Sequence, residues 1–292
     1  MLKKGDKVGI VSPSSYIEQK DFQKGMDYLT SLGFECVLGE NIFRKNFWMA
    51  GTPEERAFDI NSFFANPEIK AIFTTRGGAG SQKILDYIDY ETIKKNPKPF
   101  FGFSDTTSLQ LAIYSQTKSV SYSGFLLMFD FIYEKIDGIV EKSLLEIFSG
   151  AQKNIKAGET FHNGKAEGVL VGGTLALLNG LTGTKYFPLK EDSILLIEDT
   201  EERTYRIDLF LDQLRKNENF HNVKGIIIGE FVDCENSMQR DISIDDIINN
   251  FCRGLNIPII KNFPYGHGPS RHIMPIGRKV LIDADSCELS FL

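Results

Sequence analysis

The first half of this chain alternates short apolar runs with amphipathic stretches of helical period. That alternation points to an α/β unit, because neighbouring parallel strands must be joined by long crossovers, usually helices. Lys7–Val11 reads as the first strand, residues 21–32 as a helix stopped by Gly33, and residues 34–37 as the second strand. Thr52 followed by Pro53, Glu54 and Glu55 has the form of an N-cap with proline in the first helical position, opening a helix through Phe64. Residues 71–74 form the next strand, Arg76-Gly-Gly-Ala-Gly80 follows, and a helix runs on through Tyr87.

From about residue 150 the text turns polar, and beyond residue 164 the apolar runs are shorter and less regular. The reading is an α/β domain over 1–150, a linker over 151–164 and a smaller β-rich domain over 165–292. Strands are expected at residues 168–178, 193–197, 225–229 and 279–282, with helices at 206–216 and around 244–251. No internal repeat is evident.

With 292 residues, 42% of them hydrophobic, the chain can fill one large or two moderate domains. The 33 basic against 39 acidic residues give a formal charge of −6 without any basic run, which leaves no footprint for a nucleic acid. No apolar stretch reaches the roughly 18 residues of a membrane helix. The richest, residues 122–133, is broken by Asp130 and reads as a buried strand or loop. The N-terminus has only a short apolar patch before Ser12 and Pro13, so no secretory signal is expected. Cys36, Cys234, Cys252 and Cys287 are scattered, with no Cys-x-x-Cys pair and no histidine at ligand spacing. They read as buried, reduced thiols rather than metal ligands, which fits a cytoplasmic protein.

The chemistry is concentrated at Pro99-Phe-Phe-Gly-Phe-Ser104-Asp, an apolar run that passes through a tight turn into a helical pattern. A serine on such a turn is lifted out of the sheet, with its hydroxyl exposed and helix N–H groups beside it, as an activated nucleophile requires. Its base must be His162, His221, His267 or His272, the only four histidines. His162 in the polar linker and His221 after a charged helix end read as solvated surface residues. His267, held on the loop Phe263-Pro-Tyr-Gly-His-Gly-Pro269, is the preferred base, with an ordinary loop histidine as the alternative and His272 as the fallback. A hydroxyl–imidazole pair is normally oriented by a carboxylate. The run Ile194-Leu-Leu-Ile197 delivers Glu198 and Asp199 at its end, where Glu198 either serves that role, is simply exposed at the strand end, or joins a helix N-cap network with Thr200 and Glu202.

The glycines of residues 76–80 allow positive φ and backbone N–H groups turned toward an oxyanion. Neither the P-loop nor the dinucleotide fingerprint is present there, and a plain tight turn is the alternative. A cysteine nucleophile is disfavoured, since no cysteine lies on a strand-to-helix turn.

Several segments form a set: Gly5-Asp-Lys-Val-Gly-Ile-Val-Ser-Pro-Ser14, Ala50-Gly-Thr-Pro-Glu-Glu-Arg56, Arg76-Gly-Gly-Ala-Gly80 and Pro97-Lys-Pro-Phe-Phe-Gly-Phe-Ser104-Asp. In the second half they are Gly172-Gly-Thr-Leu, Leu196-Ile-Glu198-Asp with Tyr205-Arg-Ile-Asp208, Gly229-Glu-Phe, and Gly266-His267-Gly with Met274-Pro-Ile-Gly277. Taken together, they resemble the LD-carboxypeptidase family of serine peptidases, which includes muramoyl-tetrapeptide carboxypeptidases and microcin C immunity proteins.

The resemblance implies a catalytic triad of Ser104, Glu198 and His267, an oxyanion hole from the N–H groups of Gly78 and Asp105, and no metal or cofactor. Gly77 is the other glycine considered for the hole, and Arg76 is expected to read a substrate carboxylate or else to pack structurally. Ala79 and Thr174 stand where the family commonly has an aromatic residue and an asparagine. The expected substrate is a small peptide or muropeptide cut at an L,D bond, with neither nucleic acid nor membrane as partner and a homodimer allowed. A microcin-immunity-type hydrolase and a non-catalytic two-domain binding protein are the rival readings.

Overall fold

The computed structural model describes residues 1–132, 135–234 and 242–292. The chain divides into two compact units, Met1–Gln152 with His272–Ile276, and Lys153–Arg271 with Gly277–Leu292.

In the first unit, strands β1 (Lys7–Val11), β2 (Glu35–Leu38), β3 (Ile69–Thr74), β4 (Phe100–Gly102) and β5 (Ser121–Ser123) form a parallel sheet in the order β5-β4-β3-β1-β2. The late strand Met274–Ile276 (β12) adds antiparallel to β5. Helices α1 (Gln19–Ser31), α2 (Pro53–Ala65), α3 (Tyr90–Lys95) and α4 (Thr107–Thr117) lie on the connections, and α5 (Gly138–Ser149) follows. The start of α2 is a capping box: the Glu55 N–H donates to Thr52 Oγ1 at 3.3 Å and the Thr52 N–H donates to Glu55 Oε2 at 2.9 Å. Register between the central strands is fixed by aromatic side chains on one face. Phe73 stacks on Phe101 at 4.5 Å and Phe101 on Tyr122 at 5.0 Å, and these are also cross-strand partners. A one-residue slip would turn this ladder to the opposite face. The order reverses direction between β1 and β3, and in open α/β sheets ligands bind beyond the carboxyl ends of strands at such a switch point.

Residues 81–87, expected as an ordinary helix, are a 3-10 helix, Ser81–Tyr87, whose first residue is tied by backbone and side chain to Asp105. Of the apolar run 122–133, the first residues belong to β5, Phe125 and Leu127 are buried, and Phe129–Phe131 is a 3-10 turn. Tyr133 lies outside the described residues.

The second unit is one eight-stranded sheet. Its strands are β6 (Ile155–Lys156), β7 (Glu159–His162), β8 (Lys165–Thr174), β9 (Ser193–Thr200), β10 (Val223–Val232), β11 (Ile259–Lys261), β13 (Lys279–Asp283) and β14 (Glu288–Phe291), in the order β6-β14-β13-β8-β9-β10-β11-β7. The central β8–β11 are parallel and the flanking strands antiparallel. Helices α6 (Leu175–Asn179), α7 (Thr204–Lys216) and α8 (Ile244–Cys252) accompany them. Ser193 to Asp199 of β9 are all buried, as suits a parallel strand covered on both faces.

Part of the expected linker 151–164 is therefore strand. β6 and β7 form the two edges of this sheet, where polar side chains are tolerated because only one side of each strand is paired. The run 168–178 is likewise two elements, the strand ending at Thr174 and α6 starting at Leu175, a break that continuous apolarity hides. All four cysteines are free. Cys234 and Cys252 are buried, and burial pushes their thiols up to about 11 and about 12, whereas Cys36 and Cys287 are half-buried rather than buried. No helix among the described residues is long and apolar enough to cross a membrane.

Candidate active site

The Ser104 turn begins where β4 ends. Ser104 has φ +61°, a left-handed conformation that costs a non-glycine residue about 1–2 kcal/mol. Local packing holds it there. Gly102 leaves room for Thr106, since a Cβ at 102 would stand 2.4 Å from Thr106 Oγ1. The Thr106 N–H and hydroxyl both donate to the Phe103 carbonyl, at 3.3 and 3.0 Å. The turn then enters α4, which is buried almost all round and gives Ser104 a rigid base.

The glycine loop after β3 lies against this serine. A Cβ on Gly77 would stand 2.9 Å from Ser104 Cβ, 3.1 Å from its Oγ and 3.6 Å from the Asp105 nitrogen. Gly78 has φ +106° and is exposed, and a Cβ there would come within 2.2 Å of Ser15 Oγ. Ser15 follows β1 across the switch point. Its N–H donates to the Gly77 carbonyl at 3.4 Å and its Oγ accepts the Ala79 N–H at 3.1 Å. The loop is thus more than a plain turn: only glycine fits its two central positions, and its backbone is fixed beside the serine hydroxyl.

Glu198 and His267 meet in the second unit. His267 Nδ1 lies 2.7 Å from Glu198 Oε2, with the histidine side chain 10% exposed and the glutamate 0%. A carboxylate accepts, so the contact is an Nδ1–H donating to Glu198, which fixes the orientation of the ring. The other carboxylate oxygen, Oε1, accepts the Thr174 hydroxyl at 2.6 Å. Thr174 and Glu198 are register partners on β8 and β9, so one sheet positions both. The histidine loop packs closely because Gly229 lacks a side chain: a Cβ there would lie 2.2 Å from the Tyr265 carbonyl and 3.3 Å from Glu198 Cβ. The exposed strand-end alternative for Glu198 is excluded by its complete burial.

Neighbouring Asp199 is structural. It accepts the N–H groups of Ala176 and Thr200 at 2.9 and 2.8 Å, and burial pushes its carboxyl up to about 6. Arg76 is half-buried and donates to the Tyr16 carbonyl at 3.4 Å. His162, expected in a linker, sits half-buried on β7, while His221 is exposed as anticipated. His272 belongs to the first unit, where Nδ1 is 3.4 Å from Ser143 Oγ and burial lowers its pKa. Among the described residues no cluster of three His, Cys, Asp or Glu is arranged to hold a metal ion. From sequence, Thr174 stands out only as a departure from a family pattern, and nothing there marks the Asp105 carboxylate.

A parallel sheet carrying a strained serine, followed by a mixed sheet carrying a buried Glu–His pair, has the build of a two-domain α/β serine peptidase. The chain belongs to the LD-carboxypeptidase family, whose N-terminal domain matches residues 8–124 and C-terminal domain residues 167–282. A Bacillus subtilis protein named "Probable murein peptide carboxypeptidase" is 30% identical over 97% of this chain and 90% of its own length. The Microcin C7 self-immunity protein MccF of Escherichia coli is 30% identical over 99% of this chain and 94% of its own. The crystal structure of an MccF-like protein from Bacillus anthracis superposes with a TM-score of 0.86 at 28% identity, covering 100% of this chain and 98% of that one.

Proposed function

We propose that this protein is a cytoplasmic serine carboxypeptidase that hydrolyses an L,D amide bond, releasing a terminal D-amino acid, D-Ala, from muropeptide tetrapeptides. The observation that carries the reading is the buried Glu198–His267 pair, in which a fully desolvated carboxylate with a second donor from Thr174 orients an imidazole. The Bacillus subtilis relative, named for murein peptides, supports the substrate class.

In this mechanism Ser104 of the first unit works with His267 of the second. His267 Nε2 takes the Ser104 proton as Oγ bonds to the carbonyl carbon, and the carbonyl electron pair moves onto oxygen. Backbone N–H groups of Gly78, or its neighbour Gly77, and of Asp105 stabilise that oxyanion. The tetrahedral centre collapses, the C–N bond breaks, and His267 gives its proton to the leaving amine. Water, deprotonated by the same nitrogen, then bonds to the acyl carbon, the ester C–O bond breaks, and His267 returns the proton to Ser104 Oγ as the peptide acid leaves. Glu198 stabilises the imidazolium in both halves. Arg76 is assigned to the terminal carboxylate, which a planar guanidinium can hold with two parallel bonds.

A second reading keeps the chemistry and changes the substrate to an acylated or peptidyl nucleotide, supported by the similarity, at 26% identity and a TM-score of 0.88, to a structure of MccF in complex with aspartyl sulfamoyl adenosine. Mass spectrometry of products from a panel holding murein tetrapeptides and aminoacyl-nucleotide conjugates separates the two. Release of the terminal D-residue supports the first reading, and cleavage confined to the nucleotide conjugates replaces it. A panel left wholly intact, together with no labelling of Ser104 by an acylating probe, favours a non-catalytic binding protein.

A further inference from the structure

Arg56 is among the largest fully buried side chains of the protein, 2% exposed, and a buried guanidinium is costly unless the surrounding structure uses it. It donates to the Pro13 carbonyl after β1 and, at 2.8 Å, to the Gly80 carbonyl after β3, tying together the two loops of the switch point. Asp105, 4% exposed, grips the same loop from the other side. Its carboxylate accepts the N–H of Gly80 at 3.2 Å and of Ser81 at 2.8 Å, and its backbone carbonyl accepts the Ser81 hydroxyl. The Gly80 residue is therefore held by its N–H from an anion and by its C=O from a cation. It sits at φ +125°, where a Cβ would press on Arg56 Nη1 and Met49 at 3.0 Å.

From this geometry we propose that Arg56 and Asp105 are positioning residues, a charged clamp that sets the separation between the two halves of the oxyanion hole. Asp105 supplies one N–H next to the nucleophile, and its own side chain fixes the loop that carries the other. The inference rests on the serine-peptidase reading. Its physical basis is that oxyanion donors act by being pre-placed, and a misplacement of 1 Å costs on the order of 10²-fold in rate. Burial lowers the Arg56 pKa while the charge of Asp105 opposes that shift, consistent with two groups that sense each other.

The test compares wild type with Asp105→Asn and Arg56→Lys. Asparagine keeps the shape but offers an N–H where a backbone N–H now points, and lysine keeps the charge but loses the fork. Asp105→Asn is expected to lower kcat on the order of 10²-fold with KM little changed, and to slow phosphonylation of Ser104, which passes through the same charge, in parallel. A merely structural residue would lower the folded fraction but leave kcat per folded molecule intact, and that result overturns the clamp. Amide hydrogen exchange at Gly80 and Ser81 reads it without turnover: exchange must quicken in Asp105→Asn, and unchanged protection also overturns it. If wild type neither labels nor cleaves, the peptidase reading fails, while exchange still decides whether the clamp exists. If Asp105→Asn does not fold, Arg56→Lys carries the same measurements.

Discussion

Replacing Gly77 by alanine probes the contact between the glycine loop and Ser104 with a single methyl group. Gly77 is not among the glycines with positive φ, so alanine meets no backbone strain and the effect is purely steric. The new Cβ would stand 2.9 Å from Ser104 Cβ, whereas carbon atoms pack comfortably at about 3.5–4.0 Å, so the groups must part by at least about 0.6 Å. Neither side yields easily, since the Gly77 carbonyl accepts the Ser15 N–H and Ser104 is locked in its turn against Thr106 and α4. With about 10²-fold lost per 1 Å of misplacement, kcat should fall on the order of 10-fold to 10²-fold. Overpacking should cost about 1–3 kcal/mol of stability, too little to unfold the domain. Steady-state kinetics on a tetrapeptide, beside thermal unfolding, checks both. A folded Gly77→Ala protein with wild-type kcat would refute the placement of the loop against a reacting Ser104.

Other perturbations address the remaining parts of the site. Thr174→Val removes the donor to a buried carboxylate oxygen and should cost about 1.5–3 kcal/mol in denaturant unfolding, with turnover also reduced; a neutral result would mean that Glu198 is satisfied otherwise. Ser104→Ala should fold as wild type does and lose nearly all turnover, and measurable wild-type rates would end the serine mechanism. Asp199 has its pKa raised from 3.8 to about 6 by burial, so its contribution favours folding below about pH 4 and is lost as pH rises through about 6. The stability of wild type relative to Asp199→Asn should therefore fall by up to about 3 kcal/mol across that window, and a flat difference would contradict the shift. Arg76→Ala should lose the preference for a free over an amidated substrate C-terminus while still reacting with a small acylating probe; retained preference assigns the carboxylate to another residue.

The parts of this fold legible in the sequence are those set by neighbours in the chain. The bounds of β1, the Thr52–Pro53 helix start and the turn at Ser104 depend on periodicity, capping and local sterics, and they can be read directly. The parts that depend on partners distant in sequence cannot. Residues 155–162 look like linker because edge strands need no apolar pattern, and their pairing with β14 and β11 exists only in the folded sheet. The return of β12 to the first unit is hidden for the same reason. Within the site, Glu198 and His267 could be picked from a short list of strand ends and shaped loops. Thr174 and the Asp105 carboxylate could not, because their roles come from cross-strand register and from a loop 24 residues away.

Whether Ser104 is a nucleophile served by His267 is decided most directly by intact-protein and peptide mass spectrometry after reaction with a fluorophosphonate. The expected result is a single adduct on Ser104 in wild type, formed far more slowly in His267→Ala and absent in Ser104→Ala. An adduct on another residue, or equally fast labelling of Ser104 without His267, would contradict the triad.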